Sequence, residues 1–216
     1  MMNSMTEHEY RTFPAYANSD LTELLSRQVF RPLRKASPKI LRSGTTLHQL
    51  VLEPHRPVDW SVHTKTEAKR LQELALLVRE QADDLLAGLT VEQPLFWNCG
   101  QTGLPLKAKP DGVRPGLVVD LKTTSARSCD EFVSKFQLYG YDRQAAYYLQ
   151  AQPDAAEFLF IGVQKAKPHN VYEIWFKRQD PFIETGLKKV QRLIRLAHEE
   201  SQRPDGWRPS SWKLKP

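Results

Sequence analysis

Asp120 and Lys122 stand two residues apart in the run GLVVDLKTT, and Asp111 precedes them across the turn GVRPG. Successive side chains of a strand point to opposite faces, so an acid and a lysine at this spacing project to one side while Leu121 between them turns into the core. The turn brings Asp111 back beside Asp120. Two neighbouring carboxylates repel each other, and a hard divalent cation such as Mg²⁺ or Mn²⁺, bound through oxygen and keeping several waters, is their natural neutraliser. Such a site suits phosphodiester hydrolysis. The cation polarises the phosphoryl oxygen and acidifies a water, while the lysine orients or helps deprotonate that water or balances charge in the transition state. An ordinary surface strand also satisfies an Asp-x-Lys triplet. The Pro-Asp pair upstream, the apolar lead-in GLVV and the helical stretch downstream set this one apart.

The elements that must position these groups follow from periodicity and punctuation. Residues 1 to about 18 carry no periodic pattern and read as an arm, mobile or docking. Asp20 caps a short helix, LTELLSR. Ser37 followed by Pro38 starts a helix over about 38–52, with serine as N-cap and proline at the first helical position. Thr64 and Glu67 form a capping box ahead of the clearest helix, where Ala68, Leu71, Ala75, Val78, Ala82 and Leu85 recur at helical spacing before Gly88. The pattern then becomes extended: VEQPLFW, LPLKAKPD and GLVVDLKTT, divided by NCGQTG and GVRPG, predict a three-stranded antiparallel meander. One helical stretch, DEFVSKFQLYGYDRQAAYYLQ, follows. Strands in AAEFLFIGVQ and NVYEIWFK flank a turn at Lys167, Pro168 and His169, and Asp180 and Pro181 open a last amphipathic helix. This order predicts an α/β fold, a central mixed sheet flanked by helices, forming one domain over 19–200 with a basic tail over 201–216.

The stretch PLKAKPDGVRPGLVVDLKTT…YGYDRQAAYYLQ resembles the PD-(D/E)XK nuclease superfamily, in the branch of RecE-type exonucleases, RecB-type nuclease domains and lambda exonuclease. Pro110-Asp111 matches the first half of the signature and Asp120-Leu121-Lys122 the second, with aspartate where many relatives have glutamate. The resemblance implies a restriction-endonuclease-like core in which Asp111, Asp120 and the Leu121 carbonyl bind the metal. Gln144 and Tyr148 match the branch's QxxxY element and, at i and i+4, share a helix face. His48, in LRSGTTLHQLVLEP, matches a histidine that serves relatives as a further ligand; the plainer reading is a packed histidine. Glu92 is an additional acidic candidate. The implied activity is Mg²⁺- or Mn²⁺-dependent exonucleolytic cleavage of linear DNA in recombination or repair, in the cytoplasm, with a single-strand annealing protein as partner and a ring-shaped homo-oligomer as assembly. Members carrying an iron–sulfur cluster need four cysteines; this chain has two, Cys99 and Cys129, so no such cluster is expected. A structure-specific or single-strand endonuclease with the same site, and a non-catalytic DNA-binding protein on a nuclease fold, are the alternatives.

The net charge of +6 agrees with a polyanionic partner. Arg34 and Lys35 lie in RQVFRPLRKASPKILR, which holds no acid and reads either as a phosphate-tracking segment or as a solvated basic face. Lys107 and Lys109 share a face of the strand leading to Asp111 and are candidates for strand phosphates, as are the hydroxyls of Thr123 and Thr124. Trp207 and Trp212, interleaved with cations, either stack on unpaired bases or belong to a disordered or docking tail. No apolar run approaches the roughly 18 residues a membrane helix needs.

Overall fold

The computed structural model describes residues 5–30 and 37–213. Helix α1 (Glu7–Thr12) starts in a closed capping box: the Thr6 hydroxyl accepts from the Glu9 amide and the Glu9 carboxylate from the Thr6 amide. Helix α2 (Asn18–Gln28) begins ahead of Asp20, which lies in its first turn and accepts from the Ala17 amide at 2.7 Å. Helices α3 (Pro38–Leu52) and α4 (Lys65–Leu86) start where their caps predict, on the hydroxyls of Ser37 and Thr64.

The predicted meander is split in two. Strands β1 (Thr90–Val91), β2 (Leu95–Asn98) and β3 (Pro105–Ala108) are followed by β4 (Gly112–Arg114) and β5 (Leu117–Thr124). β2 and β3 pair only with each other, whereas β1, β4 and β5 join the main sheet. Pro110 stands at the break, where a residue without an N–H cannot carry the ladder onward. The predicted single helix is likewise broken into α5 (Cys129–Ser134), α6 (Phe136–Tyr139) and α7 (Tyr141–Ala151), with Gly140 at φ +67° between the last two. Strands β6 (Glu157–Gln164) and β7 (Val171–Lys177) and helix α8 (Pro181–Ser201) follow as expected.

The main sheet runs β1-β4-β5-β6-β7, with β5 and β6 parallel and the other pairs antiparallel. This is the predicted mixed sheet flanked by helices. On one face Leu117, Val119 and Leu121 of β5 join Leu159, Ile161 and Val163 of β6 beneath Leu47 and Val51 of α3 and Leu71, Leu74 and Val78 of α4. On the other, Val118, Phe158 and Phe160 meet Ala145, Ala146 and Leu149 of α7 and Val190, Leu193 and Ile194 of α8. β6 is therefore buried on both sides, which explains why its sequence is apolar without alternation, while the edge strand β7 alternates half-buried and exposed residues. Each fully buried large aliphatic or aromatic side chain contributes about 1.5–3 kcal/mol.

Two close approaches require glycine. A Cβ on Gly162 would fall 2.4 Å from the Phe132 ring, and one on Gly186 would fall 2.0 Å from the Asp142 carbonyl oxygen, where α8 crosses α7.

Parts of the segments read as arm and tail pack against this body, while helix α1 buries none of its residues. Trp207 is 5% exposed, packs on Tyr16 and donates from its indole to Glu23 at 2.9 Å. Trp212, half-buried, also packs on Tyr16 and donates to the Ala15 carbonyl at 3.3 Å. Among the described residues no helix is long and apolar enough to cross a membrane.

Candidate metal centre and active site

The β4–β5 ladder ends at the Gly112–Val119 pair, leaving the next stretch of the β5 edge open. Asp111 fills it. The Leu121 amide donates to Asp111 Oδ2 at 2.7 Å. In extended backbone the N–H and C=O of one residue leave on the same edge, so the Leu121 carbonyl is directed to that side as well. The other oxygen, Asp111 Oδ1, lies 3.4 Å from Nδ1 of His48 on α3. Glu92, just past β1, is brought alongside by the β1–β4 pairing, its amide donating to the Asp111 carbonyl at 3.2 Å. It takes a left-handed backbone, φ +51°, which is uncommon for a residue with a Cβ. His48, Glu92 and Asp111 each offer a ligand atom within 4.8 Å of the others; Asp120 stands outside that group.

Asp120 and Lys122 project from β5 towards α7. Gln144 donates its amide nitrogen to Asp120 Oδ1 at 2.9 Å, and the Lys122 ammonium pairs with Oδ2. The ammonium also sits 5.2 Å above the Tyr141 ring, a cation–π arrangement.

Burial and the Asp111 carboxylate raise the carboxyl of Asp120 to about 6, against the pull of Lys122. Asp111 moves the other way: burial opposes its charge, but His48, Lys122 and the Leu121 amide outweigh burial and hold it below the ordinary carboxylate value. Burial likewise disfavours the charged forms of Lys122 and His48, yet the carboxylates around them win and raise both. Burial, then Asp120, push the Tyr148 hydroxyl well above its usual value, so it remains a phenol.

The residues present fit a divalent cation. Asp120 Oδ2 is buried against the Lys122 ammonium, with which it forms an ion pair. The carboxylates of Asp111 and Glu92 with the His48 imidazole are a donor set for a hard cation that accepts one nitrogen, and the Asp120 carboxylate lies alongside.

Four residues expected at DNA phosphates fare differently. Lys107 is 1% exposed and its ammonium donates to the carbonyls of Tyr10, Arg11 and Phe13 at 2.8–2.9 Å, so that expectation is corrected: it pins the N-terminal segment. Lys109 pairs with Glu7 and with Glu92, the latter at 2.7 Å. Thr124 lies on the Asp120 side, largely buried, and its hydroxyl accepts from the Ala126 amide, whereas Thr123 falls on the opposite face of the strand from Lys122. Arg34 and Lys35 lie outside the described residues. Tyr148 follows Gln144 by one turn of α7. The sequence reading did not single out Tyr141 beneath Lys122 or Glu7 beside Lys109; Tyr141 directly follows the glycine that breaks the predicted helix, and Glu7 carries no local signal at all.

A family model described as a PDDEXK-like domain of unknown function (DUF3799) matches residues 36–203. No curated protein matches the chain. Among solved structures, a candidate exonuclease from Eubacterium rectale is similar in fold, with a TM-score of 0.62 at 16% identity over 90% of this chain and 85% of that one. An alkaline exonuclease from Laribacter hongkongensis aligns with a TM-score of 0.44 at 13% identity, over 90% of this chain and 93% of its own. The fold likeness rests on the first.

Proposed function

Because the chain belongs to the family of PDDEXK-like domains (DUF3799), we propose that it is a Mg²⁺- or Mn²⁺-dependent deoxyribonuclease that degrades linear DNA from its ends, in recombination or repair. The observation that carries this reading is the meeting of Asp111, Asp120 and Lys122 with His48 and Glu92 at one open strand edge.

In this reading His48, Glu92, Asp111 and the Leu121 carbonyl hold the cation, with Asp120 beside them. When bound, the cation supplies positive charge against the charge that builds on the phosphodiester. Lys122 is held as an ammonium by its carboxylate neighbours, so it donates to phosphate oxygen and balances growing charge, in place of accepting a proton. Gln144 fixes the Asp120 carboxylate, and Tyr148, kept protonated, is a hydrogen-bond donor on the same helix face. Phosphate contact at Lys109 requires the strand to replace Glu7 as its partner. A ring of copies working with a single-strand annealing protein extends the proposal.

The test is digestion of linear duplexes labelled at the 5′ or the 3′ end, beside closed circles, with Mg²⁺, Mn²⁺ or EDTA. Metal-dependent loss of linear but not circular DNA, abolished in Asp120→Ala and Lys122→Ala, is the expected result. Cutting of closed circles replaces the exonuclease with an endonuclease, and unchanged activity in both variants removes the site.

A further inference from the structure

Aromatic rings run in contact from the core to the surface beside the candidate site. Phe176 and Phe182 stack at 4.1 Å, Phe176 meets Phe160, and Phe160 stacks on Tyr141 at 5.5 Å and 25°. Tyr141 lies under the Lys122 ammonium and, on its way out, packs against Tyr139 with centroids 5.6 Å apart. Tyr139 is 59% exposed and its neighbour Leu138 75% exposed. Gly140, in the left-handed conformation, turns the chain sharply enough to set the two tyrosine rings side by side. The column thus ends in an open phenol ring two short steps, 5.2 and 5.6 Å, from the ammonium assigned to the scissile phosphate.

We infer that Tyr139, flanked by Leu138, is a stacking platform for an unpaired nucleobase of the strand whose phosphate reaches Lys122. The inference rests on the nuclease reading above. Every base presents a flat π-face, and an aromatic side chain beside a backbone-binding cation is the general means of holding single-stranded nucleic acid. A base within a duplex has both faces covered, so the platform accepts a single strand or the frayed last nucleotide of a duplex. Tyr141 cannot serve, because its ring is already sandwiched by Phe160 and Lys122. Tyr139 is the first ring along the column whose face is open to solvent.

The test uses the full chain with Asp120→Asn, which spares the substrate, and a short single-stranded oligonucleotide bearing 2-aminopurine near one end. Binding quenches the fluorescence of a stacked 2-aminopurine. Tyr139→Ala is expected to abolish the quench and weaken binding by roughly ten- to a hundredfold, and Tyr139→Phe to restore both. In the otherwise unaltered enzyme Tyr139→Ala raises KM with kcat nearly constant, and its melting temperature is unchanged, as suits an exposed side chain. A Tyr139→Ala protein that binds and quenches normally overturns the platform and leaves the nuclease reading standing on its cleavage data. A wild-type protein that neither binds nor cuts DNA overturns both.

Discussion

Gln144 of α7 donates to Asp120 Oδ1 at 2.9 Å, tying the helix to the central strand at the carboxylate whose other oxygen pairs with Lys122. Side chains that orient the groups around a metal site typically govern activity or metal affinity by ten- to a hundredfold, and Gln144→Ala is expected to lower kcat by roughly that factor with little change in KM. Gln144→Glu should be worse, since it sets another acid against Asp120. Steady-state kinetics with saturating Mn²⁺ decide the matter; an unchanged kcat in both variants removes Gln144 from the machinery.

His48 provides the nitrogen of the proposed donor set. A cation that binds only the folded chain raises its stability by about 2.7 kcal/mol at a hundredfold excess over Kd. The melting temperature of the wild type should rise with added Mn²⁺ and fall back with EDTA. His48→Ala should lose most of that response, and Glu92→Gln part of it. Equal Mn²⁺ responses in wild type and His48→Ala would place the cation elsewhere.

Lys107 differs from a phosphate ligand in a measurable way. Lys107→Met leaves three carbonyls without their shared ammonium and is expected to cost about 3 kcal/mol or more in unfolding free energy. The slope of DNA affinity against salt should not move, because no phosphate contact is removed. Chemical denaturation and a salt titration of DNA binding check the two halves, and a shallower salt slope would return Lys107 to the DNA interface.

Glu23 makes the docking of residues 207–210 sensitive to acid. Burial opposes its charge, but the hydrogen bonds from Ser210 and Trp207 outweigh it and hold the carboxyl below its ordinary 4.5. A carboxyl with a lowered folded value stabilises fully above its unfolded value and loses that contribution as pH falls through the folded one. The segment should therefore stay docked at neutral pH and loosen below about pH 4.5, seen as faster amide exchange over 203–212 and altered tryptophan emission. Glu23→Gln should show the same loosening at pH 7. Acid loosening that is identical in that variant would assign the effect to another group.

What the sequence disclosed was whatever depends on near neighbours. The Ser37 and Thr64 caps act over three residues, and the α3 and α4 starts were legible from them. The alternation that sets Asp120 and Lys122 on one face is a property of β5 alone. The split of the meander was written in Pro110, but only the formed sheet shows which strands remain joined across it. Lysines are nearly always exposed, and nothing in LPLKAKPD indicates that Lys107 is satisfied by carbonyls some 95 residues away. Trp207 is similar: its partner Glu23 is 184 residues distant, so its indole reads as free until the chain closes.

The docking of residues 207–212 onto Ala15, Tyr16 and Glu23 also orders events in time. On a ribosome the chain delivers its carboxylates and lysine by residue 122, but β6, the strand that backs them along their whole length, arrives only after three helices. The contacts of Trp207, Ser210 and Trp212 come later still and close onto residues made 184 to 197 positions earlier. A nascent chain therefore holds the parts of its chemistry well before it has the framework to align them. Contacts so far apart in sequence form late, so the framework that aligns these side chains is completed after the side chains themselves are made.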